Sequence, residues 1–234
     1  MEIFEKTLQS VNGGRILDVA SGRGDFIGCI AEFQNIISIV AIDTNPEPVD
    51  FTKKFEHLPV TYVQCSAEKL PFADESFDTV CISNSLHHMS ALHTVLAEML
   101  RVLKKGGTYV INEMYSDTDD AQRLTHVLLH HWWGEIDTLI GIPHQKTYEN
   151  RALDQLFHSL DIVEKQKIDY AFPKLEMDDD IRAQLLKSCD AYCEKVRVNK
   201  LSSDFLIRGE LLKERINDVG FASAPSTLFV GKKV

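Results

Sequence analysis

The sequence predicts an α/β fold, a mostly parallel seven-stranded sheet with helices on both faces and helical insertions in its second half. Three observations predict it. Short β-rich runs alternate with amphipathic stretches through the first two-thirds of the chain. The run at 36–42 is almost wholly apolar, as a strand covered on both faces must be. At 234 residues, the chain is long enough to bury a large core without a disulfide or metal.

Taken in order, 16–20 reads as the first strand, with a helix from about 25 to 33 after it. Residues 36–42, 60–64 and 79–83 give the next three strands. Leu92, Val95, Leu96, Met99, Leu100 and Leu103 form one stripe of a helix, which the pair Gly106-Gly107 is expected to end. Strand five follows at 108–114, and there the simple alternation stops. Residues 117–140 and 150–160 read as helices, 162–172 as a strand, and 178–220 as helix interrupted near Leu201-Ser202-Ser203. A short closing strand is expected at 227–232. Without repeats or Pro/Gly-rich linkers, 1–234 reads as one domain, with 116–148 and 174–203 as insertions forming a lid.

Composition narrows the function classes. The chain has 25 Lys+Arg against 35 Asp+Glu, a net charge of −10, which argues against a large nucleic-acid footprint because phosphate binding draws on Lys and Arg. Cys29, Cys65, Cys81, Cys189 and Cys193 have no spacing that suggests a disulfide framework or zinc site, so reduced, buried thiols are expected. The first residues, Met1 to Glu5, lack a basic signal-peptide start, and no apolar run approaches membrane-spanning length. These features predict a soluble, cytoplasmic protein with no membrane span.

The first chemical motif runs from Ile16 through Asp18, Ala20, Ser21, Gly22 and Gly24 to Phe26. An apolar strand carries an acid and enters a small-residue turn. Gly22 and Gly24 permit a tight turn and close approach of a ligand, and the following helix N-terminus is expected to offer N–H groups to a carboxylate. The second is Asp43, at the end of strand two beside Thr44 and Asn45. Such an acid can accept both hydroxyls of a ribose, although it can also simply cap the next helix. Up to this point a dinucleotide-binding dehydrogenase remains open. The third motif, Cys65 through Ser66, Ala67, Glu68 and Leu70-Pro71-Phe72 to Phe77-Asp78, links strands three and four and has no counterpart in that reading.

Together the three motifs resemble the class I S-adenosylmethionine-dependent methyltransferases, particularly the small-molecule branch with the quinone and sterol C-methyltransferases. The resemblance covers roughly Arg15 to Met114 and includes Glu98 to Gly107 before strand five. It implies a Rossmann-like sheet and S-adenosylmethionine as cofactor. Asp18, Ala20, Ser21, Gly22 and Gly24 then fall at the methionine end, Asp43 and Thr44 at the ribose, and Ser66, Ala67 and Glu68 along adenine. Asn84 to His87 fall under the sulfonium. Ala20 stands for a usual glycine and Lys105 for a frequent proline. Ser66 replaces the usual aspartate, and its hydroxyl can still accept a hydrogen bond.

Residues Asn84-Ser85-Leu86-His87 lack the Asn/Asp-Pro-Pro-Tyr/Phe pattern of enzymes that methylate base amines or Gln amides, which favours a small-molecule acceptor. His87, His88, Glu113 and His131 are the candidate catalytic groups. The histidines after strand four can act as a base or only shape the pocket, and Glu113 can equally cap or pair. His131 and Glu135 share a helix face, and His144 returns across a Gly/Pro turn. A lid helix is preferred there to a metal site, so no metal is expected. Methylation of RNA or protein and a non-catalytic cofactor-binding module are the alternatives.

Overall fold

The computed structural model describes residues 2–46, 50–174 and 177–234. The chain forms two compact units: Met1–Glu113, Gln155–Tyr170 and Thr227–Val234 make one, and Met114–Asp154 and Ala171–Ser226 the other. The first is built on a seven-stranded sheet of β1 (Asn12–Val19), β2 (Gln34–Asp43), β3 (Val60–Gln64), β4 (Phe77–Ser83), β5 (Leu103–Met114), β6 (Ile162–Tyr170) and β7 (Ser226–Lys233). Their order is β3-β2-β1-β4-β5-β7-β6. The pairs β1–β2, β2–β3, β1–β4 and β4–β5 are all parallel, and one antiparallel hairpin completes this Rossmann-like sheet.

Period-two alternation explains why the central strands are apolar throughout. Ile16, Ile39, Ala41, Cys81 and Val110 share one core with Phe4 and Leu8 of α1 (Glu2–Ser10), Ile27 and Ile30 of α2 (Ile27–Ile30) and Phe51 of α3 (Phe51–Lys54). Their neighbours Leu17, Val80 and Tyr109 have the opposite parity and are also buried. The Tyr109 hydroxyl lies 3.5 Å from Met99 Sδ of α4 (Leu92–Val102). Of the expected stripe, Val95, Leu96 and Met99 are buried, Leu92 and Leu100 are half-buried, Leu103 begins β5, and Val102 is buried in addition.

Three local expectations need correction. The helix expected at 25–33 contracts to α2, because Gly22 and Gly24 take left-handed φ of 51° and 78° and hold the segment in turns. Gly24 N–H bonds to Ser21 O and Ile27 N–H to Gly24 O, three-residue steps rather than helical ones. A four-residue helix offers no useful dipole, so the expected helix-terminus anion site is absent there. The glycine pair does not end α4. Its terminal carbonyls of Arg101 and Val102 accept from Glu75 and Ser76 N–H, and the chain passes straight into β5. Gly106 and Gly107 instead lie where the β4–β5 register slips from Phe77↔Leu103 to Thr79↔Thr108. Finally, α1 and α3 were not expected.

The second unit is helical: α5 (Ala121–Leu139), part of α6 (Asn150–Ser159), α7 (Asp179–Val198) and α8 (Asp204–Asp218). Leu129, Trp132 and Ile136 of α5 meet Cys189, Cys193 and Val196 of α7 and Leu212 and Ile216 of α8. Gly209 permits this packing, since a Cβ there would lie 2.8 Å from both Cys193 Sγ and Trp132 Cζ2. No helix among the described residues is long and apolar enough to cross a membrane.

Gly24 and Gly28 make a matched test. A Cβ at Gly24 would come within 2.7 Å of the Phe55 ring at a φ of 78°, whereas one at Gly28 meets nothing within 4 Å. In urea unfolding, Gly24→Ala should lose about 2 kcal/mol or more, and Gly28→Ala should gain up to about 1 kcal/mol.

Candidate active site

The strand order reverses at β1, whose carboxyl end lies beside that of β4, the place where open α/β sheets form their ligand crevice. Both strands end in a non-glycine residue forced into the left-handed region, Ala20 at φ 54° and Asn84 at φ 45°. Such strain persists only where neighbouring bonds impose it. Here Ser21 donates through its N–H (2.8 Å) and its hydroxyl (3.2 Å) to Ile42 O. Asn84 N–H donates to Asn112 O, and the Ser85 hydroxyl donates to Ser83 O at 2.7 Å with Ala20 O 3.3 Å away.

Asp18 is 1% exposed, and neither of its carboxylate oxygens has a hydrogen-bond partner. Burial, reinforced by the nearby Asp43 charge, pushes its pKa up to about 8. Asp43 is held differently. Its Oδ2 accepts from Gly22 N–H at 3.0 Å, and Oδ1 accepts from both the backbone and side-chain N–H of Asn45, each at 3.0 Å. This spends part of its acceptor capacity on aligning the turns after β1 and β2 and leaves lone pairs for a ligand. A Cβ at Gly22 would meet nothing within 4 Å, so this glycine leaves open space, whereas Gly24 is required by the rings of Phe51 and Phe55. Thr44 O accepts from the Gln64 side chain, tying the ends of β2 and β3.

After β3, the Ser66 hydroxyl accepts from Glu68 N–H, and Glu68 accepts from Ser90 Oγ. Ala67 is buried beside them. The Leu70–Asp74 stretch that follows is pinned by a pair that sequence reasoning missed. Glu98 accepts from Leu70 N–H (2.8 Å) and from Arg101, whose guanidinium also donates to Leu70 O, Phe72 O and Asp74. The signal was present in Glu98-Met99-Leu100-Arg101, an i,i+3 charge pair on one helix face.

Glu113, at the end of β5, is fully buried. Its Oε2 accepts from the N–H groups of Ser85 (3.1 Å) and Leu86 (2.9 Å), and Oε1 lies 2.9 Å from His87 Nδ1. His87 and His88 belong to a single 3₁₀ turn, Leu86–His88, with ring centroids 4.3 Å apart. Asn112, also missed, joins these strand ends: it donates to Ser83 Oγ at 2.9 Å and accepts from the Tyr170 hydroxyl at 2.6 Å.

Within the helical unit, His131, Glu135 and His144 do not converge. His131 Nε2 lies 2.8 Å from Thr147 Oγ1, Glu135 pairs with Arg208 and Lys146, and His144 Nδ1 lies 2.9 Å from Asp137. Asp137 also accepts from Tyr192 and Lys195, which hold its pKa below the usual carboxylate range despite its burial. Trp132 is fully buried in the helical core and donates to Phe205 O.

Residues 17–111 match the family model described as a methyltransferase domain. Over that stretch the chain is similar to methyltransferase domains. The ubiquinone/menaquinone biosynthesis C-methyltransferase UbiE of Stenotrophomonas maltophilia is 38% identical over 123 residues, 50% of this chain and 49% of that protein. The probable phthiotriol/phenolphthiotriol dimycocerosates methyltransferase 2 of Mycobacterium ulcerans is 33% identical over 117 residues, 50% of this chain and 45% of that protein. The match therefore spans about half the length of these curated relatives. Among solved structures, the YcgJ protein of Bacillus subtilis aligns with a TM-score of 0.59 at 16% identity, covering 99% of this chain and 97% of that one. A geranyl diphosphate methyltransferase in complex with SAM aligns at 0.55 and 18% identity, covering 100% and 84%. At these identities the structures share the fold of the methyltransferase domain.

The raised pKa of Asp18 sets a direction for stability. The folded domain retains a proton there that the unfolded chain loses near the ordinary value of 3.8, so the ligand-free protein loses stability as pH rises from about 4 to about 8. Asp18→Asn removes that dependence. Denaturant unfolding of the ligand-free protein should show the variant gaining on the parent as pH rises from 5 to 8; a constant difference would contradict the assignment.

Proposed function

We propose that the chain binds S-adenosylmethionine at the β1–β4 crevice and transfers its methyl group to a small-molecule acceptor. The observation that carries this reading is Asp18, a buried carboxylate with no hydrogen-bond partner beside a glycine turn. A buried charge without a partner is costly, and an ammonium group of a ligand compensates it. The α-ammonium of S-adenosylmethionine fits that requirement, and Gly22 leaves room for the methionine portion to approach the backbone.

The remaining assignments follow from the same edge of the sheet. Asp43, aligned by Gly22 and Asn45, takes the ribose hydroxyls, and Thr44 lies next to it. Ser66, Ala67 and Glu68 flank adenine on the loop braced by Arg101 and Glu98. Ala20, Ser21 and Asn84 shape the crevice around the reacting end, where strained backbone is held by bonds between neighbouring strands. The bound cofactor supplies an electrophilic methyl on a sulfonium. The protein's work is to hold an acceptor in line with it, a proximity effect that can contribute several kcal/mol.

A small acceptor is supported by the net charge of −10 and by the relatives, whose names concern ubiquinone/menaquinone biosynthesis and phthiotriol/phenolphthiotriol dimycocerosates. The helical unit, inserted after β5 and again between β6 and β7, is assigned to covering the acceptor; it holds both segments 116–148 and 174–203 and extends to include α8. His131 is held by Thr147 there, which suits a structural part in that cover. Cytoplasmic placement is in keeping with five free cysteines.

Calorimetric titration tests the binding half. S-adenosylmethionine should bind with NAD giving no competing heat, and Asp43→Ala should weaken it at least tenfold, as expected for about 1.5–3 kcal/mol per hydrogen bond to a charged group. Tighter NAD binding would overturn the reading. Turnover is tested separately with a panel of hydroquinones of differing ring size and tail. S-adenosylhomocysteine formation is the expected result, and binding without turnover across hydroquinone, RNA and protein acceptors would indicate a cofactor-binding module.

A further inference from the structure

Glu113 and His87 together do something that neither residue suggests alone. Three nitrogens converge on one fully buried carboxylate: two backbone amides on Oε2, and His87 Nδ1 on Oε1. The amides of Ser85 and Leu86 can only donate. With both carboxylate oxygens accepting, the ring nitrogen facing Oε1 is the donor of that contact. We propose that Glu113 is a positioning residue that fixes His87 as the Nδ1–H tautomer and leaves Nε2 as its proton-accepting atom. This deepens the methyltransferase reading above and depends on it for its role in the reaction, but not for its geometry.

The consequence concerns acceptors that must lose a proton, such as a hydroxyl or an acidic ring carbon. As the bond from acceptor to methyl forms and the carbon–sulfur bond breaks, the electrons of that bond leave with sulfur. The acceptor's proton needs a destination. The Nε2 lone pair of His87 provides one, and the Glu113 carboxylate stabilises the resulting imidazolium through Nδ1. The His88 ring of the same turn lies 4.3 Å from that of His87, centroid to centroid, at an interplanar angle of 46°. The same carboxylate also holds the turn itself, since Ser85 and Leu86 follow directly on the strained Asn84. One side chain from β5 thus sets both the position and the proton inventory of the loop after β4.

The arrangement makes an unusual demand on Glu113→Gln. A glutamine has one accepting oxygen and one donating amide nitrogen. The two backbone amides require the oxygen, which turns the side-chain N–H toward His87 Nδ1. That nitrogen must then accept, and the histidine proton moves to Nε2.

Nitrogen-15 NMR of the full chain, labelled at histidine and saturated with S-adenosylhomocysteine, reads the tautomer directly. His87 is assigned by the signals missing from His87→Asn. The expected result is an Nδ1–H signature for His87 in the parent protein and an Nε2–H signature in Glu113→Gln. An Nε2–H tautomer in the parent overturns the proposal whether or not the variant folds, and so does an unchanged tautomer in a folded Glu113→Gln. The measurement is repeated without S-adenosylhomocysteine. A failure of that ligand to bind counts against the cofactor assignment alone, because the tautomer is set by contacts within the protein.

Discussion

The structure turns on a carboxylate that the fold buries and leaves without a partner. Asp18 lies on the central strand, with hydrophobic neighbours on its own face of the sheet and a second acid nearby. Burial of this kind opposes folding, and the domain tolerates it through the large apolar core around β1. A feature that weakens the empty protein is explicable when a ligand relieves it. The same reasoning accounts for the left-handed Ala20 directly beyond the strand, another local cost at the same edge.

Around this point the strand ends are fastened to one another by polar side chains. Ser21 and Asp43 join the turns after β1 and β2. Ser85 reaches back to Ser83 and toward Ala20, and Asn112 links β4 and β5 to Tyr170 of β6. Glu113 organises the turn after β4 from beneath. The crevice is therefore preorganised by its neighbours, as the proposed methyl transfer would require of a site whose reactive group arrives with the cofactor.

The broad architecture was legible in the sequence because apolar runs and the α4 stripe follow periodicities that the sheet enforces. The break in the helical region at Leu201-Ser202-Ser203 was legible for a similar reason, and α7 and α8 end and begin around it. The glycines were harder to read. Gly106 and Gly107 look like a helix stop, but their conformational freedom serves a register slip in β5. Gly22 and Gly24 look alike in sequence, yet one faces open space and the other faces two phenylalanine rings. Asp18 and Asp43 stood out from their positions at strand ends, although only the structure distinguishes the unpartnered acid from the aligned one. The Glu98–Arg101 pair is visible as a local i,i+3 spacing, but Arg101's bonds to Leu70, Phe72 and Asp74 and the bonds of Asn112 join residues distant in sequence, which no local pattern announces.

The most direct test is the proton balance of cofactor binding. At pH 6.5, Asp18 in the ligand-free protein holds its proton, and an incoming ammonium favours the ionised carboxylate. Calorimetry in buffers of different ionisation enthalpy should therefore report release of about one proton per S-adenosylmethionine bound. That release should disappear in Asp18→Asn. Binding by the parent protein without proton release would contradict the account.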